Sequence, residues 1–448
     1  MKATLSDTNL IQHLLRRAGF GYTQDELEFF QNLGYEPSVD YLLNPESKHN
    51  ESLDEVIKAQ NFDFTNIDHL KLWWLMRMAF SKNPLEEKMT LFWHGHFATS
   101  NAKVNNAYLM YLQNRTLRQY SLLHFKDLLQ AVVYDPAMIE YLDNQYNYKG
   151  KPNENFSREL MELFTLGIGN YTETDVKEGA RAFTGYHTRN LAFYFDAKAH
   201  DFGEKNYLGH KGDFNGNDIV EILANETNCA EYISLKLCRF FVSPSPNMTI
   251  VKDVTKAYKN NNGNIKMMLY TLFNHPVFKS GVSYRQLIKS PVDYTVSSIK
   301  SLEKKELDSN YSKYLASMGQ DLFYPPSVKG WDGGKTWIAT DTFIARYNFA
   351  SHIVQSKMDN MAKNFIASKT LVDKFNLSTS FDLVKYLCLL FIDNDVNETM
   401  QNSFYNYLSG TDDKNGDFKL DQLSNLELDA KIRGLTQLIL TSPMYNVA

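Results

Sequence analysis

Three prolines in this chain close helices by the same device, and that device limits the architecture more than any other feature. Apolar residues stand eight, four and three positions before the proline, and another stands two after it. The sets are Leu128, Val132, Val133 and Met138 around Pro136; Met268, Leu272, Phe273 and Phe278 around Pro276; and Leu435, Ile439, Leu440 and Tyr445 around Pro443. The first three of each set form a helical stripe. Proline cannot continue the helix and restricts the residue before it, so the apolar residue beyond folds back onto the last turn. The spacings between the three sites are unequal, which makes this a recurring stop and not a solenoid repeat.

Helical periodicity extends nearly everywhere else. Asn83, Pro84 and Glu86 read as cap, first position and box partner of another helix. Strand-like alternation is scarce, and only Leu191 to Phe195 is a hairpin candidate. The expected fold is mainly α, a large multi-helix globular body with a small irregular or β-hairpin insertion. Composition divides the chain into a helical region at 1–190, a Gly/Asn/aromatic insertion at 191–225, and a second helical region at 226–448 packed with the first as one body.

The chain has 448 residues and 14% aromatics, far too many for disorder. Its net charge of −5 gives no global basic field, and no nucleic-acid-binding motif is present. Cys229, Cys238 and Cys388 are odd in number and form no CxxC pair, so buried inert thiols are expected. No apolar run is long enough to span a bilayer. The amphipathic start, with Arg16 and Arg17 inside it, is unlike a signal peptide. As given, the chain reads as soluble and cytoplasmic, and export alongside a partner carrying its own signal is compatible with the same sequence.

The most informative segment is PNENFSRELMELFTLGIGNYTETDVKEGARAFTGY, Pro152 to Tyr186. Asn153 can cap a helix that places Phe156, Leu160, Leu163 and Phe164 on one face. Glu154, Arg158 and Glu162 follow at i,i+4 on the other side. Gly167 and Gly169 supply the stop, and Thr172 with Asp175 forms a variant capping box. The charges read either as a solvated ladder or as an ion-pair lattice between helices.

This segment resembles the signature of a bacterial family called domain of unknown function 1800. Further blocks agree in order: LLRRAGFG (Leu14–Gly21), EKMTLFWHGHFATS (Glu87–Ser100), DPAMIEYLDN (Asp135–Asn144), HDFGEKNYLG (His200–Gly209) and PPSVKGWDGGKTWI (Pro325–Ile338). The resemblance spans nearly the whole chain and implies an architecture more than an activity. It also implies a partner, because members of the family are often encoded beside sulfatase-like proteins.

His94 and His96 form an HxH pair broken by Gly95. On a regular helix the two imidazoles point about 200° apart, and they can share an ion only if Gly95 lets the chain leave the helix. Packed, backbone-bonded histidines are the alternative. Glu159, on the edge of the apolar face, is the third candidate ligand for a transition metal, zinc or iron. A buried carboxylate has to be paired or metal-bound, and Arg158 or Arg181 could pair instead.

Other polar candidates are Glu162, His200, Asp201, Lys205 and Asp143-Asn144. Trp331 and Trp337 beside Gly330, Gly333 and Gly334 could form a stacking platform for sugar or peptide, with Asp332 on hydroxyls, or they could be packing anchors. Asp413 to Ser424 approximates a calcium loop, but Phe418 replaces its turn Gly and Ser424 its bidentate Glu, so calcium binding is not expected. GxSxG, P-loop, GxGxxG and HExxH signatures are absent.

The leading expectation is a helical enzyme, hydrolytic or redox. His94, His96 and Glu159 would hold a metal, Glu162 or Asp201 would act as base, and Arg158 would orient an anion. The rival is a non-catalytic binding or assembly protein, with carbohydrate as a candidate ligand, that uses Trp331, Asp332, Trp337 and Lys205. The first reading requires both histidines in one pocket with Glu159 or Glu162. A buried Arg158 is also expected.

Overall fold

The computed structural model describes residues 5–48, 50–304, 306–307, 309–355, 368–409 and 417–448. Among these residues are 23 α-helices and two separate two-stranded sheets, so the protein is mainly α. Each proline device works as its spacing requires. Met138, Phe278 and Tyr445, beyond the helices ending at Val133, Asn274 and Thr441, are fully buried, and Phe278 packs on Phe273 of the last turn before it. Pro136 does more than stop a helix: Asp135 caps a new one, Pro136–Tyr141, through a bond from Met138 N–H.

Side-chain caps set most helix starts. Thr172–Asp175 forms the expected box before Glu173–Ala182, and Asn215–Asp218 forms another before Gly216–Asn225. Asn83 departs from expectation. The helix Pro84–His96 begins there, yet Asn83 makes no side-chain cap.

The segment after Asn153 also differs from a plain helix. One α-turn, Asn155–Glu159, passes into a π-helical turn, Leu160–Thr165, where Leu166 N–H reaches Met161 O at 2.8 Å. Wider turns of this kind offer backbone carbonyls to neighbouring side chains.

The insertion is two antiparallel hairpins. Tyr186–Arg189 pairs with Ala192–Phe195, and Lys205–Tyr207 pairs with His210–Gly212. Their two-residue turns, Asn190-Leu191 and Leu208-Gly209, have positive φ at both positions, the geometry that matches strand twist.

One apolar core runs from Ile11 to Tyr445. Early helices pack directly on late ones: Tyr35–Leu43 on Ile265–Asn274, and Ile67–Phe80 on Pro291–Ser301. Charge is built into this core. Asp393 accepts from Arg16 at 2.6 Å, from Tyr22 at 2.6 Å and from Arg285 at 3.1 Å, with both arginines and the carboxylate buried. Buried Glu87 accepts from Arg77, Arg118 and Trp74. Among the described residues no helix is long and apolar enough to cross a membrane. All three cysteines are buried and free, and burial pushes each thiol up to about 12.

Candidate functional site

The helix Pro84–His96 runs through the centre of the body and is buried on almost every side. It stays helical through Gly95, so its two histidines face different neighbours. His94 packs against Trp74, Phe323 and Trp331, and its Nε2 accepts from Phe323 N–H at 3.2 Å. Burial pushes the His94 imidazole down to about 3, so it is neutral. His96 instead turns toward the π-turn and lies 3.0 Å from the carbonyl of Phe164. A carbonyl can only accept, so His96 Nε2 donates and Nδ1 carries the lone pair. That Nδ1 is buried and has no partner among the described residues. Burial, then the nearby Lys236 charge, holds His96 neutral.

Gly330, at φ +81°, lies so close to the central helix that a Cβ there would sit 2.5 Å from Gly95 O, whereas a Cβ on Gly95 itself would meet nothing within 4 Å. The missing side chain of Gly330 lets the Trp331/Trp337 loop press onto the central helix. Loop and helix together wall a cavity of about 700 Å³, the size of a small-molecule site. Its apolar surface comes from Leu91, Phe92, Phe240, Trp331 and Trp337, with Gly95 and His96 beside them.

The charges on the wall are unbalanced. Eight cationic side chains line the cavity against two acidic side chains, Asp293 and Asp332. Arg16 and Arg17 come from the first helix, Asp7–Ala18, and Lys88 from the central helix. Lys236 and Arg239 come from the helix Thr227–Phe241, while Lys289 precedes Pro291–Ser301. Lys329 and Lys335 flank the tryptophan loop.

Lys88 is paired with Asp293. Arg17 is 2% exposed and donates through Nη2 to Ser283 O at 2.8 Å, but its Nε and Nη1 have no partner among the described residues. Burial brings the Arg17 guanidinium down to about 9. Lys289, equally buried, rests 3.5 Å over the Tyr445 ring and is held well below the usual lysine range by burial and then by Arg16 and Arg285. Burial and Arg239 bring Lys236 down to about 8.

The expected site residues separate into groups. His96, Trp331, Asp332 and Trp337 line the cavity, and His94 backs it through Trp331. The tryptophans are part of a cavity wall, not an open platform. Glu159 is partly buried; burial and Glu162 raise its carboxyl, opposed by Arg158 and Lys329. Glu162 accepts from Tyr171 OH at 2.5 Å. No hydrogen bond or ion pair joins either glutamate to a histidine. The expected ligand set of His94, His96 and Glu159 is therefore not assembled. His94 Nε2 is occupied, the two rings face apart, and among the described residues no three His, Cys, Asp or Glu side chains form a metal-sized group.

Arg158 is a surface residue, against expectation. Its side chain is 33% exposed and pairs with Glu173 and Glu154. Asp201 and Lys205 brace the hairpin insertion away from the cavity. Asp201 pairs with Arg181 at 2.8 Å, and Lys205 bonds Gly203 O and Asp213. In the calcium-like stretch, Asp413 and Asn415 lie outside the described residues. Asp417 accepts from Ser380, and Ser424 caps the helix Asn425–Thr441.

Sequence reasoning missed the cations. Arg16 and Arg17 had a visible signal, because adjacent arginines among Leu14, Leu15 and Ala18 cannot both escape a buried face. Lys236 and Lys289 had none, since they converge from distant segments.

Residues 13–447 match the family described as "Protein of unknown function (DUF1800)", and the chain belongs to that family. No curated protein and no solved structure matches it.

Proposed function

We propose that the protein is a small-molecule enzyme acting on an organic anion in the cavity between the first helix, the central helix and the tryptophan loop, with neutral His96 as acceptor for a substrate proton. One observation carries this reading: two buried polar groups on the cavity wall, Arg17 and His96, have atoms that no protein partner satisfies. Such groups are costly unless something completes them. Arg17 offers donors and His96 offers a lone pair, so the complement is an anion that also carries an O–H or N–H. The apolar walls suit an organic body, and excess cations draw anions inward. His96 is oriented by the Phe164 carbonyl, as a base should be. Hydrolysis and redox chemistry both use such a step.

The test is consumption of compounds from a defined mixture of organic anions, followed by mass spectrometry with wild-type protein and His96→Gln. Turnover of an anionic compound by the wild type, lost in a folded variant, is expected. A mixture in which no anion is consumed or bound would overturn the reading.

A second reading is assembly with a sulfatase-like protein. It is favoured by Ile338, Phe343, Ile344 and Tyr347, large apolar side chains exposed together beside the tryptophan loop. Co-elution with such a protein, abolished by Ile344→Asp, would support it.

A further inference from the structure

Two buried cations on the cavity wall, Arg17 and Lys289, have no carboxylate in contact among the described residues. Arg16, Arg17, Lys88, Lys289 and Arg285 act on one another or on the same carboxylates there. The carboxylates are Asp293, Asp393 and the half-exposed Asp395. Asp393 is engaged by Arg16, Tyr22 and Arg285, and Asp293 by Lys88 and its own helix cap. Both carboxylates act on Lys289, and Asp293 on Arg17, only through space: among the described residues no hydrogen bond or ion pair joins them.

An excess of buried charge is a strong destabilising element unless a counter-charge arrives. Two cations with no carboxylate in contact suit a ligand group that carries two negative charges. A carboxylate or a sulfate ester brings a single negative charge, whereas a phosphate monoester brings close to two at neutral pH and three acceptor oxygens. Guanidinium and ammonium groups together are the usual protein partners of phosphate.

We propose that this end of the cavity, at Arg17 and Lys289, receives the phosphate group of an organic phosphomonoester whose apolar portion lies against Phe92, Trp331 and Trp337. The proposal rests on the organic-anion reading and specifies its substrate class. Arg17 is positioned for the role because its Nη2 is tied to Ser283 O, which fixes the guanidinium while Nε and Nη1 stay unpartnered. Lys289 is held by the Tyr445 ring beneath it and by Ser297 at 3.4 Å, with no carboxylate in contact among the described residues. His96, on the same cavity, accepts from a hydroxyl of the organic part.

Isothermal titration of the full chain with phenyl phosphate, inorganic phosphate, phenyl sulfate and benzoate tests this. Phenyl phosphate should bind about tenfold or more tighter than phenyl sulfate or benzoate, the order that an added charge-assisted hydrogen bond gives. It should also exceed inorganic phosphate, because only the ester fills the apolar wall. Phenyl phosphate binding no better than benzoate would overturn the phosphate assignment and leave the organic-anion reading standing. Equal binding of inorganic phosphate would overturn the ester and indicate a free-phosphate receptor. Failure of all four to bind would sink both readings.

The wild-type panel needs no variant to fold. Arg17→Met and Lys289→Met, each checked by circular dichroism, locate the site. Each should weaken phenyl phosphate by about tenfold or more while changing benzoate less. Wild-type affinity in both would overturn the placement.

Discussion

Arg16 and Arg17 are neighbours on one helix, equally buried, and they belong to two different kinds of region. Arg16 sits in a closed lattice, where Asp393, Tyr22 and the carbonyls of Leu390 and Phe391 take its donors. Arg17, on the same cavity wall as Arg16, has two nitrogens without a partner among the described residues. The residue type and the burial are the same; only the completeness of the partner set differs. A completed buried charge holds helices together, and an uncompleted one marks where something else belongs. The Arg158 ladder is a third condition, complete but wet, and the three can be ranked by what happens when they are broken.

The closed lattice should fail hardest. Asp393→Ala leaves Arg16 and Arg285 buried without their carboxylate and should cost about 3–5 kcal/mol in a denaturant melt. The pH dependence carries the same sign. Burial alone would raise the Asp393 carboxyl, but Arg16 and Arg285 outweigh it and hold it down to about 2. Its contribution is present above the ordinary value of 3.8 and is lost as pH falls from there toward 2. A loss under about 1 kcal/mol would erase the distinction between lattice and surface.

Asp135 sharpens the comparison as a buried carboxylate with no cation beside it. Burial pushes it up to about 7 despite bonds from Met138 N–H and Gln113. Its folded value lies above the unfolded one, so its contribution is fullest below the unfolded value of 3.8 and is lost as pH rises through 7. Asp135→Asn keeps an oxygen for both donors. It should raise stability at pH 8 by about 1–2 kcal/mol and change little at pH 4. Equal effects at the two pH values would remove the ionisation argument.

Arg17→Met should be far milder than Asp393→Ala. It loses one good bond, to Ser283 O, but also removes an uncompensated charge from the interior. The ligand-free protein should melt within about 1 kcal/mol of wild type. A loss of several kcal/mol would mean that Arg17 is completed within the protein and that the cavity is not its partner.

What the sequence revealed follows the range of the forces involved. Thr172–Asp175 and the proline devices are local: the box forms as its spacing requires, and the apolar residue beyond each proline is buried. The HxH pair depended on whether Gly95 bent the helix. The helix runs straight through Gly95, and the residue packed on it there, Gly330, lies far along the chain. The cavity was half legible. Trp331, Asp332, Trp337 and His96 could be named, but the cations facing them come from helices with no shared local pattern. Arg158 was misjudged for a related reason: the i,i+4 spacing of Glu154, Arg158 and Glu162 is the same whether that face is covered or wet.

The smallest effect belongs to that ladder. Arg158 donates to Glu173 at 2.6 and 2.8 Å and to Glu154 at 3.3 Å. Glu173 is 68% exposed, so water stands ready to replace the guanidinium when it is removed. Arg158→Ala should then cost about 0.5 kcal/mol and at most about 1, as exposed pairs do. Salt separates this from the lattice. Because the pair is in water, its small contribution should fall toward zero in about 1 M salt, where screening reaches only about 3 Å. The Asp393→Ala loss, inside the core, should persist in the same buffer. Two melts of each variant, at low and high salt, decide the matter. A salt-independent loss of several kcal/mol at Arg158 would move the ladder into the same class as Asp393.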